Sequence, residues 1–255
     1  MEIIKTDNNS AYKQYELLLL ERDALLKEAD EYLTLYIHEF GDLLVEKFKL
    51  EVTIISTKKS IAFCQVRENR GERINLSELN DFIDIEMNGY NELLKQMVKD
   101  NENCRQLEHI SKEDNLKIKK LYRKLARQLH PDLNPELQKE PWFADLWTRI
   151  STAYKCADLK ELEDLVILAN AALTAVGVDN TKISIPDITE RSEQLQSEIN
   201  KIITTEPYSY KNILVDPIAK NELKHELRSE IKQYELYLER LRSVLTGYLM
   251  TGVIP

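Results

Sequence analysis

Glycine is scarce: the 255 residues hold six, Gly41, Gly71, Gly89, Gly177, Gly247 and Gly252. None are grouped as GxGxxG, GxxxxGK[ST] or GxSxG, so the chain lacks the glycine loops that bring backbone N–H groups close to a phosphate or expose a nucleophile. Cysteine is equally sparse. Cys64, Cys104 and Cys156 are odd in number and far apart, without a CxxC pair, which argues against a disulfide framework or a zinc site. His38, His109, His130 and His225 show no metal-ligand spacing. No metal and no cofactor is expected. No apolar run approaches the roughly eighteen residues of a membrane span. The opening "MEIIKTDNNS" has neither a basic stretch nor an apolar one that would read as a secretion signal. The expected compartment is the cytoplasm, with no membrane partner.

What remains is 43% hydrophobic, 31% charged and poor in helix breakers, with a net charge of −9. That composition predicts an all-α fold. Tyr12, Leu19, Leu26, Leu33 and Phe40 recur every seventh residue, as do Tyr15, Ala29, Tyr36, Leu43 and Leu50, with Arg22 the exception. The spacing predicts one helix from residue 10 to about 69, passing through the β-branched "VTIIST" of 52–57, in a coiled coil or helical hairpin. Gly71 reads as its left-handed cap. A second helix follows from Ser77 to about 107.

Ser111 is an N-cap for the helix containing 116–129, and Pro131 ends it. A third helix covers 141–156. Asp158 with Glu161 reads as a capping box for a fourth, ending at Gly177. "VDNTKISIP" connects to an amphipathic helix, "DITERSEQLQSEINKIITTE", and after a bend the last helix spans 217–249. That bend is expected to return the last helix alongside 187–204. The partner of the N-terminal heptads is either the 77–107 helix or the final one. No large apolar side chain of these stripes is expected to stay exposed.

The local anomaly is "LYRKLARQLHPDLNPE", residues 121–136. On a helical wheel, Ile118, Leu121, Tyr122, Leu125, Ala126 and Leu129 share one face. Lys117, Lys119, Lys120, Arg123, Lys124 and Arg127 fall opposite. A face of one sign in an acidic protein is more than solubility requires. The apolar stripe calls for a partner, and Trp142, Phe143, Leu146, Trp147, Ile150, Ala153 and Tyr154 repeat at helical spacing in the next helix. The two would pair as an antiparallel hairpin, with His130-Pro131-Asp132 exposed at the turn.

This stretch resembles the J domain of the DnaJ-type co-chaperones. The residues that carry the resemblance are "IKKLYRKLARQLHPDLNP" and "LWTRISTAY", within a segment of about fifty residues. The resemblance implies that the chain docks on a seventy-kilodalton heat-shock chaperone, whose ATPase it stimulates while doing no hydrolysis itself. His130, Pro131 and Asp132 would make the turn contact, and Lys119, Lys120, Arg123, Lys124 and Arg127 the basic one. Tyr122, Leu125, Leu129, Trp147, Ile150 and Tyr154 would form the core. The family's Tyr-Tyr-x-x-Leu-Gly entry is missing: the matching place reads "NCRQLEHIS", and the end of the 77–107 helix would stand in. The family's fourth helix, Gly/Phe linker and zinc repeat are also missing.

The expected organisation is an N-terminal helical hairpin over 1–108, a J domain over 109–158, a helical extension over 159–180 and a C-terminal hairpin over 181–255. An unknown client would bind the helical arms of a monomer or homodimer. The competing readings are a structural coiled-coil scaffold that engages no chaperone, and nucleic-acid binding by the basic helix. The latter lacks aromatics among the charges and would have to overcome an acidic remainder.

Overall fold

The computed structural model describes residues 3–106, 111–176 and 187–252. Gly177, the connector that follows it, and residues 107–110 of "NCRQLEHIS", His109 among them, lie outside the described residues. Among the described residues eight α-helices run in the order α1 (Ile3–Asn69), α2 (Leu76–Gln106), α3 (Lys112–Leu129), α4 (Phe143–Lys155), α5 (Leu159–Val176), α6 (Ile188–Thr204), α7 (Tyr210–Val215) and α8 (Pro217–Gly252). A 3-10 turn at Pro135–Lys139 precedes α4. Among the described residues there is no strand, and the protein is all-α as expected. Within the same residues no helix is long and apolar enough to cross a membrane.

The chain ends its helices with local devices that its sequence announces. Gly71 adopts φ +67°, where a side chain would strain the backbone. Its N–H donates to Glu68 O and that of Glu72 to Arg67 O, the paired bonds of a Schellman stop. Ser111 Oγ accepts from the Asp114 N–H at 3.0 Å. Asp158 Oδ1 accepts from the Glu161 N–H at 2.9 Å. The capping box there is half made, because the Glu161 carboxylate turns to Arg149 at 2.8 Å. The β-branched 52–57 segment is helical, and within it Thr53 and Thr57 return their hydroxyls to carbonyls four residues back.

The chain divides into two compact units. The first comprises Met1–Glu31 and Glu108–Ser209, the second Tyr32–Leu107 and Tyr210–Pro255, so α1 contributes to both. In the first unit, Ile118, Leu125 and Leu129 of α3, Phe143, Ile150 and Tyr154 of α4, and Leu162 and Leu165 of α5 make one core, to which α1 adds Leu20. The segment read as an extension is therefore a wall of this core. A second cluster joins Tyr15, Leu18 and Leu19 of α1, Leu133 after the α3 turn, and Leu195 and Ile199 of α6.

In the second unit α1 packs on both α2 and α8. Phe63 meets Phe82, with ring centres 5.4 Å apart. Lys59 pairs with Glu86 at 2.6 Å, Lys47 with Glu230 at 2.6 Å, and Lys224 with Glu39. Tyr234 donates to Glu51 at 3.1 Å.

The last helix packs on α1 in the second unit, while 187–204, here α6, belongs to the first. The helix α2 belongs to the second unit and α3 to the first. One expectation is corrected here: not all the heptad residues are covered, because Leu26 and Leu33 keep 45% and 38% of their surface. A straight α-helix drifts about 20° per heptad against a repeat of seven, and α1 changes partners near residue 31, so a single seam does not stay inside.

Candidate functional site

The site grows from the end of α3. The buried side chains of α3 are Ile118, Tyr122, Leu125, Ala126 and Leu129, the predicted apolar face, with Leu121 half-buried beside them. Tyr122 stacks on Tyr154, ring centres 3.8 Å apart and planes 8° from parallel. At the other end His130 meets Trp147 edge-on at 4.9 Å. Tyr122 precedes His130 while Tyr154 follows Trp147, so the two helices run antiparallel. Trp147 is half-buried, at the border of the core rather than inside it.

Pro131 cannot continue the helix, and His130 leaves it with extended backbone (φ −67°, ψ 130°). The turn is then tied back on itself. Both the Leu133 and Asn134 N–H groups donate to His130 O, at 3.0 and 2.9 Å. Asn134 Nδ2 donates to Arg127 O at 3.3 Å, an end-of-helix carbonyl without an intrahelical partner. Gln138 Nε2 donates to Pro131 O at 2.9 Å. The Asp132 N–H donates to His130 Nδ1 at 3.1 Å, which makes that nitrogen an acceptor and leaves the imidazole proton on Nε2. The resemblance assigns no role to Leu133 and Asn134. Both are buried and hold the turn. Asn so soon after a Pro-Asp pair is the signal that was available.

The exposed tripeptide of the sequence expectation is corrected by the structure. His130 keeps only 5% of its surface, and Pro131 and Asp132 are half-buried. The cover is α1. Asp23 Oδ2 lies 3.7 Å from His130 Nε2 and accepts a 2.7 Å hydrogen bond from the Tyr122 hydroxyl. Burial, with Asp23 close by, raises the Tyr122 phenol well above its ordinary range. Burial lowers the His130 pKa and outweighs the pull of Asp23 and Asp132 toward the charged form; Arg22 adds to the lowering. Lys27 of α1 is buried, 5.2 Å above the Tyr154 ring, with Glu31 at 3.4 Å.

The basic face divides. Arg127 Nε donates to Glu16 at 2.7 Å, and Lys119 to Glu28 at 3.1 Å. Lys120, Arg123 and Lys124 remain exposed. Thus the turn and the cations fall on one end and one side of α3, as their spacing required, with the first unit's acidic α1 residues against part of them. Glu16, Asp23 and Glu28 carried no signal in the sequence, because their partners lie about a hundred residues away.

Among the described residues, no group of three or more His, Cys, Asp or Glu side chains is arranged to hold a metal ion. What is established is an all-α protein with a partly covered helix-terminal turn, its His130 buried, beside a basic helix. Comparison with protein-family models, curated proteins and solved structures gave no match.

Proposed function

We propose that the chain is a co-chaperone adaptor of the J type, acting in the cytoplasm on a seventy-kilodalton heat-shock chaperone and stimulating its ATPase. One conjunction carries the reading. A basic amphipathic helix ends in His130-Pro131-Asp132 and is backed by the aromatic α4, with Tyr122 stacked on Tyr154. Lys120, Arg123 and Lys124 give an acidic partner a surface that steers encounter electrostatically. Asp132, with 42% of its side chain exposed, presents a carboxylate able to pair with an arginine. All phosphoryl chemistry belongs to the chaperone, and the chain is not an enzyme. The helices outside the hairpin would select the client.

A second reading, a helical scaffold that engages no chaperone, is favoured by one observation: His130 is covered. The two readings separate in a single-turnover assay of chaperone ATP hydrolysis. The adaptor accelerates hydrolysis and Asp132→Asn removes the acceleration. Equal acceleration by both proteins would overturn the adaptor reading.

A further inference from the structure

The covering segment of α1 sits against the groups that the adaptor reading would present to a partner. Glu16 and Glu28 hold Arg127 and Lys119, and Asp23 meets Tyr122 and His130. Asp132 lines a recess with Arg22 of α1 and Arg191 of α6. Leu133, the residue after the tripeptide, is wholly buried between α1 and α6. On the helical wheel Glu16, Leu20, Asp23 and Lys27 share one face of α1, toward α3 and α4. Tyr15, Leu18, Leu19 and Arg22 share another, toward α6. α1 is thus wedged over the turn by both faces.

Resting on the adaptor reading, we propose that Tyr15–Glu31 of α1 is a releasable mask. It mimics the acidic surface of a partner, holds the His130-Pro131-Asp132 turn closed, and is displaced when such a surface competes for α3.

Three features make release feasible. The backbone hydrogen bonds of α1 are internal, so the segment can leave α3 and remain a helix. The side chains of α3, α4 and α5 supply a core of their own, and α1 adds only Leu20 to its buried residues. The links from Glu16 and Glu28 to α3 are partly exposed ion pairs, individually weak and weakened further by salt. A competing acidic surface would meet the same cations, with Lys120, Arg123 and Lys124 already exposed for first encounter.

The test uses the full chain and the rate at which diethylpyrocarbonate modifies His130, with the exposed His225 as internal reference. The variant Glu16→Lys/Asp23→Lys/Glu28→Lys places like charges against α3. The mask predicts a rise in His130 modification of about tenfold, an ordinary size for coupling between two states, with His225 unchanged and helical circular dichroism kept. Raising salt on the unaltered chain gives the same direction without a mutation, and decides the matter if the variant fails to fold. Rates that move in neither experiment overturn the mask and make α1 a permanent part of the first unit.

Stimulation of chaperone hydrolysis is read in parallel. A freed His130 with no stimulation by the variant leaves the mask standing and removes the adaptor reading. Equal stimulation by both forms, with His130 unmoved, removes the mask and leaves the adaptor.

Discussion

The two units hold themselves together differently, and the difference bears on where a partner can act. Leu19, Ile118, Leu125, Leu129, Leu133, Ile150, Leu162 and Leu165, all of the first unit, are fully buried. The second unit's comparable residues are Phe40 and Cys64. Its helices meet along their lengths through a thinner apolar seam, with Cys64, Ile74 and Leu79 at one end, flanked by side-chain pairs such as Lys47 with Glu230 and Lys59 with Glu86. Short helices packed from several directions enclose side chains on all sides, whereas long ones meet along seams and leave residues such as Ile85 and Leu93 in solvent. The helix-terminal turns repeat the contrast. Gly71 of the second unit closes α1 in the open, with empty space where a Cβ would stand, while His130 of the first lies under a neighbouring helix.

Truncation in the first core should break this comparison most sharply. Ile150→Ala is expected to cost about 2–5 kcal/mol, since a fully buried side chain leaves a cavity the packing cannot refill. Hydrogen exchange should show α3–α5 losing protection while α2 and α8 keep theirs. Equal loss everywhere would mean that the two units unfold as one.

In the second unit Gly41 sits close against Asn101. An added Cβ would lie 2.0 Å from Asn101 Oδ1 and 2.9 Å from Asn101 Cγ. The Asn101 amide is buried and donates to Asp42 at 3.0 Å. Gly41→Ala should therefore cost about 1–3 kcal/mol of overpacking, measured by urea denaturation, despite alanine's better helix propensity. A stabilised variant would show that Asn101 swings away freely.

Acidification should act on the first unit through His130. Its folded pKa lies below the ordinary 6.5 because burial opposes the charge, with Asp23, Asp132 and Arg22 the charged groups facing it. The unfolded chain then binds the proton first as pH falls through 6.5. The stability that the neutral imidazole confers is complete above that pH and is lost progressively below it. Denaturation midpoints compared at neutral and mildly acidic pH should show this slope, and His130→Gln should flatten it. An unchanged slope in the variant would assign the acid sensitivity to other groups.

The smallest effect is expected at the α1–α3 ion pairs taken singly. Glu28→Gln should change stability by no more than about 1 kcal/mol, and less as salt rises. A larger, salt-independent loss would mark Lys119 as a buried charge rather than a partly exposed one.

Helix limits were legible in the sequence wherever a cap lay beside them. Ser111, Asp158, Gly71 and Pro131 each act on backbone groups within a few residues, so spacing alone located them. The basic and apolar faces of α3 were equally plain, because the period of the helix sets them whatever packs there. The same local rules account for the pairing of α3 with α4, two apolar stripes joined by a short connection. The cover over the turn was not legible. Asp23 reaches Tyr122 across 99 residues of chain, and Lys224 reaches Glu39 across 185. One carboxylate in a chain of 44 acidic residues carries no mark of which cation or hydroxyl it will meet. Heptads name a stripe but not its partner, and α1 offers its stripe to α3, α4 and α6 in one unit and to α2 and α8 in the other. The helices, their ends and the His130-Pro131-Asp132 turn follow from hydrogen bonds and periodicity within a few residues, so the order of the amino acids is enough to place them. The closing of the turn over His130 depends on which of many similar faces pack together, and that is settled by long-range packing alone.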